Sequence, residues 1–472
     1  MSGKETFPVR SIPGSYGLPV IGNLMDRLDY FRLEGPDKFF RNRMAKYQST
    51  VFRANVPASA PLFGGSDPKV IAIVDSASFT TLFDVSLVEK KDVLVGDYLP
   101  SLNYTGGMRV LAYLDPSEPQ HSSIKSFLMH NLRRSSKTWV PELQSSLEPL
   151  WSTLEKDVED KGKVKVLLPL QKFLFSFLSK VLLGADPAVD PEIAKNGHCI
   201  IDKWLASMLV PTLGTGGVIP YPFEELLLHS FPFPFALVRG DYEKLHGFIL
   251  NHAKEVLSIG INEYGLTEAH AAHNLLYALG FNAFGGFSIF LPSLISYIGK
   301  DPGLQERLCS EVRDVMNAHE GMSFNAVSEM ELLSSTVYEA LRMNPPVPFQ
   351  YGRARRDFNL KSHDCAYRVQ AGELLCGFQP LAMRDPRVFE APEEFRADRF
   401  TKERGGEALI QYVYWSNGPQ TATPSVENKQ CAGKDYVVAT TRLILADLFM
   451  RYDSFQLDKD SSSTITSLKR RS

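Results

Sequence analysis

Cys431 is set apart from the other cysteines by its surroundings. Lys429 stands two positions before it, Gly433 two positions after, and a helix-forming run follows in NKQCAGKD. A thiolate, not a thiol, is the metal ligand, and it needs electropositive surroundings to stay ionised. A helix start just beyond Cys431 would offer backbone N–H groups and the positive dipole end. Cys199, Cys309, Cys365 and Cys376 lie far apart and form no CxxC pair. That argues against a disulfide framework or a structural zinc site, and a reducing compartment fits best. A second constellation is Glu339 and Arg342 in YEALR, followed at once by MNPPVP. Spacing of three places both on one helical face, although a bare ExxR is most often a solvated surface pair. A third is FRADRF, with Phe395, Arg399 and Phe400, and beyond it come Trp415, Ser416, Asn417 and Gly418.

Taken in order, these motifs (ExxR, a Pro-rich turn, an Arg between aromatics, a Gly-approached Cys before a helix) resemble the cytochrome P-450 superfamily. The resemblance implies a mostly α, single-domain haem-thiolate fold with small β-sheets. It implies haem b held by Cys431 as iron ligand, and Glu339, Arg342 and Arg399 as a buried network beneath it. Propionate partners are expected at His121 and Lys125, in DPSEPQHSSIK, which resembles HxxxR, and at Arg353 and Lys429. Gly433 is expected to let the helix start pack close to the macrocycle.

Two departures bear on the reaction. Oxygen-activating members carry an acid and an alcohol in the long distal helix, to deliver protons to bound dioxygen. The matching stretch here is NAFGG, so both relay positions are glycine, Gly285 and Gly286. A substrate that already contains an O–O bond needs no such relay. Gly418 and Cys431 are thirteen positions apart, nine more than in the superfamily's GxRxC. The insertion would reshape the surface where a reductase docks, so none is expected.

Both departures, with YLDPSEP, QYGRAR, SHDCAY and WSNGPQT, resemble the plant fatty-acid hydroperoxide branch of that superfamily. Its members are hydroperoxide lyases and allene oxide, divinyl ether and epoxyalcohol synthases. Allene oxide synthases carry Phe where this chain has Leu94 and Ser where it has Ala112, and an aromatic face at the first could steer a radical or cation intermediate. The resemblance therefore implies a lyase. It would split a 9- or 13-hydroperoxide of linoleic or linolenic acid homolytically, without O2 or NADPH, to a hemiacetal that decays to a short aldehyde and an ω-oxo acid. Asn282 is the candidate donor to the peroxide oxygens. Phe284, Phe287, Gly285 and Gly286, with Leu94 and Ala112, are expected to line the acyl pocket. Another product class at the same site, or a haem-binding oxylipin carrier without turnover, stays open.

These side chains need a scaffold, and composition bounds it. At 472 residues, 44% apolar, the chain can bury a large core, and no linker or charge run marks a boundary. One domain over 1–472 is expected, with 1–11 a flexible N-terminus and 460–472 a C-terminal tail. Net charge of −3 gives no basic footprint for nucleic acid. Met1 to Arg10 shows no signal peptide, membrane span or transit peptide. A soluble or peripheral intracellular protein is expected, with the plastid envelope left open. Leu167 to Leu183 reads as a core helix, with an interfacial membrane face as the minor reading. Strands are expected at Thr50 to Asn55, Val70 to Val74, Tyr367 to Val369 and Leu374 to Cys376. Helices are expected through Gln120 to Leu341, among them Glu268 to Tyr297 and Leu304 to Met316, and again after Cys431.

Overall fold

The computed structural model describes residues 7–56, 66–319 and 321–471. Helices dominate, and three small sheets flank them. Val51–Asn55 and Lys69–Ile73 form an antiparallel pair of apolar runs, and Leu374–Phe378 joins parallel to the second from some 300 positions on. Phe349–Ala354 and Val88–Glu89 complete that five-stranded sheet. Its long-range pairing carries the Pro-rich segment after Arg342 across to the N-terminal third. The expected strands are present within a residue or two of their predicted bounds.

The expected helix from Glu268 runs to Gly299 and is long and apolar enough to cross a membrane. Its neighbours account for that character: it packs among Pro119–Lys161, Leu167–Leu178, Pro191–Leu209, Pro302–Ala318 and Glu331–Met343. A helix apolar on most sides is what such a central position requires. Between Ala278 and Gly285 it widens into a π-helical stretch, a distortion found at functional sites.

One expectation is met and two are corrected. Leu167–Leu183 buries Leu170, Phe173, Leu174, Phe177, Leu178 and Val181 against the main core, so its apolar face is spent on protein contacts and not on an interface with lipid. The tail expected at 460–472 contains a strand, Ser461–Arg470, paired with Tyr452–Asp458 on one side and Val164–Lys165 on the other. The end expected to be flexible at 1–11 contains a short strand, Val9–Arg10, parallel to Ala366–Val369; residues 1–6 lie outside the described residues.

Candidate functional site

Glu339 and Arg342 sit one turn apart near the end of Glu331–Met343, and neither is exposed. Glu339 accepts from Arg342 Nε at 2.7 Å and Nη2 at 2.8 Å, from Arg399 Nε at 3.0 Å, and from the Arg396 N–H at 2.9 Å. Arg342 also donates to the carbonyls of Met383 (3.0 Å) and Pro392 (2.8 Å), and Arg399 to that of Glu390 at 2.7 Å. Phe389 lies beneath both guanidiniums, 4.9 and 5.9 Å from ring centroid to carbon. The expected three-residue network therefore exists, and the surface-pair alternative does not hold. One carboxylate facing two arginines in the interior survives because nearly every donor has an acceptor.

The segment Trp415 to Gly433 is folded back on itself. Cys431 N–H donates to Ser416 O at 2.9 Å, Gln430 Nε2 to Pro419 O at 2.7 Å, Asn417 Nδ2 to Lys429 O at 3.1 Å, and Lys434 Nζ to Gln420 O at 2.8 Å. The long insertion is thus a braced loop ending at the thiol. The helix Lys434–Arg451 starts three residues after Cys431, with Gly433 as its N-cap. Cys431 lies deep in the molecule and yet is not fully enclosed. Burial raises its pKa, while the Gly433 N–H, Lys125 and Lys434 pull it down without prevailing. A Cβ at Gly433 would come within 3.9 Å of that sulfur and touch no other atom, and its φ of −89° is open to any residue. The protein itself therefore does not require glycine there, whereas a flat group lying over the sulfur would.

Cations gather beside the thiol. His121 and Lys125, one turn apart at the start of Pro119–Lys161, are each 1% exposed, and Lys90 is 6% exposed. Lys429 donates to the carbonyls of Leu111 (2.9 Å), Ala112 (3.1 Å) and Leu114 (2.7 Å); Lys125 donates to Asn428 O; Lys90 donates to Asn417 Oδ1. Burial, then the neighbouring Lys429, pushes Lys90 down to about 7. Burial, then Lys125, pushes Lys429 to about 7, and burial brings Lys125 to about 8. His121 falls to about 4 through burial and both lysines, and its Nδ1 is buried with no hydrogen-bond partner. Mutually repelling buried bases with an orphaned imidazole nitrogen fit a ligand that brings carboxylates. Lys90 escaped sequence reading because KKD looks like a solvated run, and its partners Gln350 and Asn417 are distant in the chain.

Arg353 departs from expectation. It pairs with Asp97 and donates to Gly372 O at 2.8 Å, while Gln350, Gly352 and Ala354 of its strand are buried and Arg353 is not. Period-two alternation points it the other way, and counting from PPVP could not show that.

The turn Leu111 to Leu114 links the thiol loop to the long helix, because Leu111 N–H donates to Asn274 Oδ1 at 2.9 Å. Farther along, Asn344 Nδ2 donates to Ser293 Oγ at 2.8 Å. Between these two ties stand Asn282, exposed and without a side-chain hydrogen bond, and Gly286, where a Cβ would meet nothing within 4 Å. At Gly285 a Cβ would meet Leu205 at 3.3 Å. Leu94 and Ala112 lie on adjoining segments, joined by Asp92 N–H to Tyr113 O at 2.9 Å, and both are half-buried against the core. Phe284 and Phe287 are corrected: at 0% and 3% exposed they pack into the core on the other side of the helix. They stand two and five positions beyond Asn282, spacings that do not share a helical face.

A family model described as Cytochrome P450 matches residues 286–422. The fatty acid hydroperoxide lyase, chloroplastic, of Solanum lycopersicum is 55% identical over 99% of this chain and 98% of its own length. The linolenate hydroperoxide lyase, chloroplastic, of Arabidopsis thaliana is 52% identical over 99% of this chain and 95% of its own. An allene oxide synthase, chloroplastic, of Linum usitatissimum is 45% identical over 99% of this chain and 88% of its own.

Proposed function

Because this chain belongs to the cytochrome P450 family, among its fatty-acid hydroperoxide lyases and allene oxide synthases, we propose that it is a hydroperoxide lyase cleaving a polyunsaturated fatty-acid hydroperoxide, without dioxygen or NADPH, to a hemiacetal that decays to an aldehyde and an ω-oxo acid. The haem of this family, when bound, supplies an iron that exchanges a single electron with the O–O bond. In this reading Cys431 holds the iron, and Lys90, Lys125, Lys429 and His121 meet the propionates. The single observation that carries the reading is the distal helix. Asn282 offers an unpartnered amide and Gly286 leaves open space where an oxygen-splitting enzyme would place proton donors. Leu94, aliphatic and half-buried, and the higher identity to the two lyases favour scission over dehydration. The relatives' names place them in the chloroplast, which supports a plastid setting that a fluorescent fusion would test. The decisive experiment supplies each hydroperoxide isomer to the purified protein without NADPH and identifies the products. Mainly ketol, the hydrolysis product of an allene oxide, would overturn the lyase assignment.

Asn282→Ala is expected to leave stability within about 0.5 kcal/mol, since the side chain is exposed and unbonded. Hydroperoxide consumption should slow at constant haem content, by less than the about 2.7–4 kcal/mol of an oxyanion donor because the homolytic path develops little charge. An unchanged rate would remove Asn282 from the site. Leu94→Phe is expected to divert product from aldehyde towards ketol. Overpacking costs about 1–3 kcal/mol where a site cannot relax, so the readout is the product ratio in one reaction, not the rate. A wild-type ratio would show that position 94 does not steer the intermediate.

A further inference from the structure

A line of oxidisable rings leads away from the distal helix. Phe281, beside Asn282, stacks on Tyr277 with centroids 4.8 Å apart. Tyr277 meets Trp204 at 6.4 Å, and Trp204 meets Tyr242 at 5.8 Å. Tyr113, from the turn that Lys429 grips, joins at Tyr277 at 5.8 Å. All four oxidisable rings are buried. Their protons have different fates. The hydroxyls of Tyr113 and Tyr277 face only each other, and the Trp204 indole donates to the Tyr104 carbonyl at 3.2 Å. None of these three faces a base. The Tyr242 hydroxyl does: it lies 2.6 Å from His273 Nδ1. The His273 ring is clamped between His246, stacked at 4.2 Å, and Gly106, where a Cβ would sit 2.1 Å from its ring atoms.

We propose that Tyr277, Trp204 and Tyr242 relay a stray oxidising equivalent out of the site to Tyr242, where His273 takes the phenolic proton. The proposal rests on the homolytic reading above, because only homolysis leaves an oxygen-centred radical to be quenched. An alkoxyl radical that escapes rearrangement gains one electron through the relay and one proton from water, and leaves as an alcohol; the hydroxyl half of the split peroxide, still one electron short, is reduced to hydroxide by a second passage through the relay once Tyr242 has been re-reduced. The electron comes from Tyr242, whose O–H bond passes its proton to Nδ1; a neutral tyrosyl radical and an imidazolium remain. A thiolate reductant in solution returns the electron, becoming a thiyl radical, and His273 returns the proton. A phenol loses an electron readily only if its proton can leave, so the equivalent settles on Tyr242 and passes through the other rings. Burial, with His246 and His270, holds His273 down to about 4, so at neutral pH the ring is free to accept.

The test freezes the holoenzyme rapidly after mixing with a linoleic acid hydroperoxide, and separately with a peracid, which delivers an oxidising equivalent to the same site whatever the natural substrate. Electron paramagnetic resonance at high field is expected to show a tyrosyl radical in both arms, with the g value of a hydrogen-bonded phenoxyl. The signal should vanish in Tyr242→Phe and fall in Trp204→Phe, while the initial loss of diene absorbance is unchanged and fewer turnovers precede inactivation. No tyrosyl signal with peracid, or one that survives Tyr242→Phe, overturns the relay. A Tyr242-dependent signal with peracid, alongside hydroperoxide that is not consumed, keeps the relay and sinks the lyase reading. The g value reports the partner of the radical in the unsubstituted protein, so the test stands even if Trp204→Phe folds poorly.

Discussion

Cys431→Ser is expected to abolish hydroperoxide consumption and the thiolate absorption of the haem while leaving the fold intact. The side chain is nearly isosteric, and the loop that carries it is held by bonds from Gln430, Asn417 and Lys434, none of which involves the sulfur. Loss of function without loss of structure follows, because only a thiolate gives the iron its electron-rich ligand. In the protein alone, burial outweighs the Gly433 N–H and the nearby lysines, and the thiol is held protonated. With Cys431 as the iron ligand, as proposed, ionisation would accompany metal binding, as expected where ligand binding releases a proton. Absorption spectra of the carbon-monoxide adduct, circular dichroism and diene loss separate the possibilities. A serine variant that kept the thiolate band would show that another residue holds the iron.

Glu339→Gln is expected to destabilise the protein by about 3–5 kcal/mol, the usual result of removing one partner from a buried ion pair. The substitution keeps shape but leaves Arg342 and Arg399 with no anion to face, in an interior where Arg342 is 0% exposed. Asp364→Asn offers the contrast. Its pair with Arg387 has both side chains more than half exposed, where solvent screening leaves such a pair little to contribute. Urea unfolding followed by tryptophan fluorescence would compare the two variants at equal haem content. Equal losses would mean that the network beneath the site is no more than a surface pair in energetic terms.

What the sequence made legible is what depends on local order. The helix from Glu268, the helix after Cys431 and the Glu339–Arg342–Arg399 network follow from apolar periodicity and motif order, and each stands where expected. What escaped depends on contacts across the chain or on a local change of period. Lys90 joins the site only because its partner Asn417 lies 327 positions away. Arg353 was placed by its distance from a proline motif, whereas Asp97 and strand alternation decide where it goes. Phe284 and Phe287 were assigned to the pocket through the motif around Asn282, whereas their spacing from it turns them into the core. The strand Ser461–Arg470 buries only Thr464 and Ile465, too little apolar pattern to announce a strand.

Gly286 faces open space. A Cβ at that position meets nothing within 4 Å, and Gly285 would need only a small shift of Leu205. The distal backbone therefore has room for a Cβ at both positions, so the glycines there are not demanded by packing. The insertion before Cys431 is a different matter, because its bonds from Gln430 and Lys434 tie it to the segment that carries the thiol. Laboratory evolution would thus find the two sides of the site unequally plastic, with room for a new side chain at Gly286 and a loop before Cys431 that cannot be shortened without breaking the bonds that hold it.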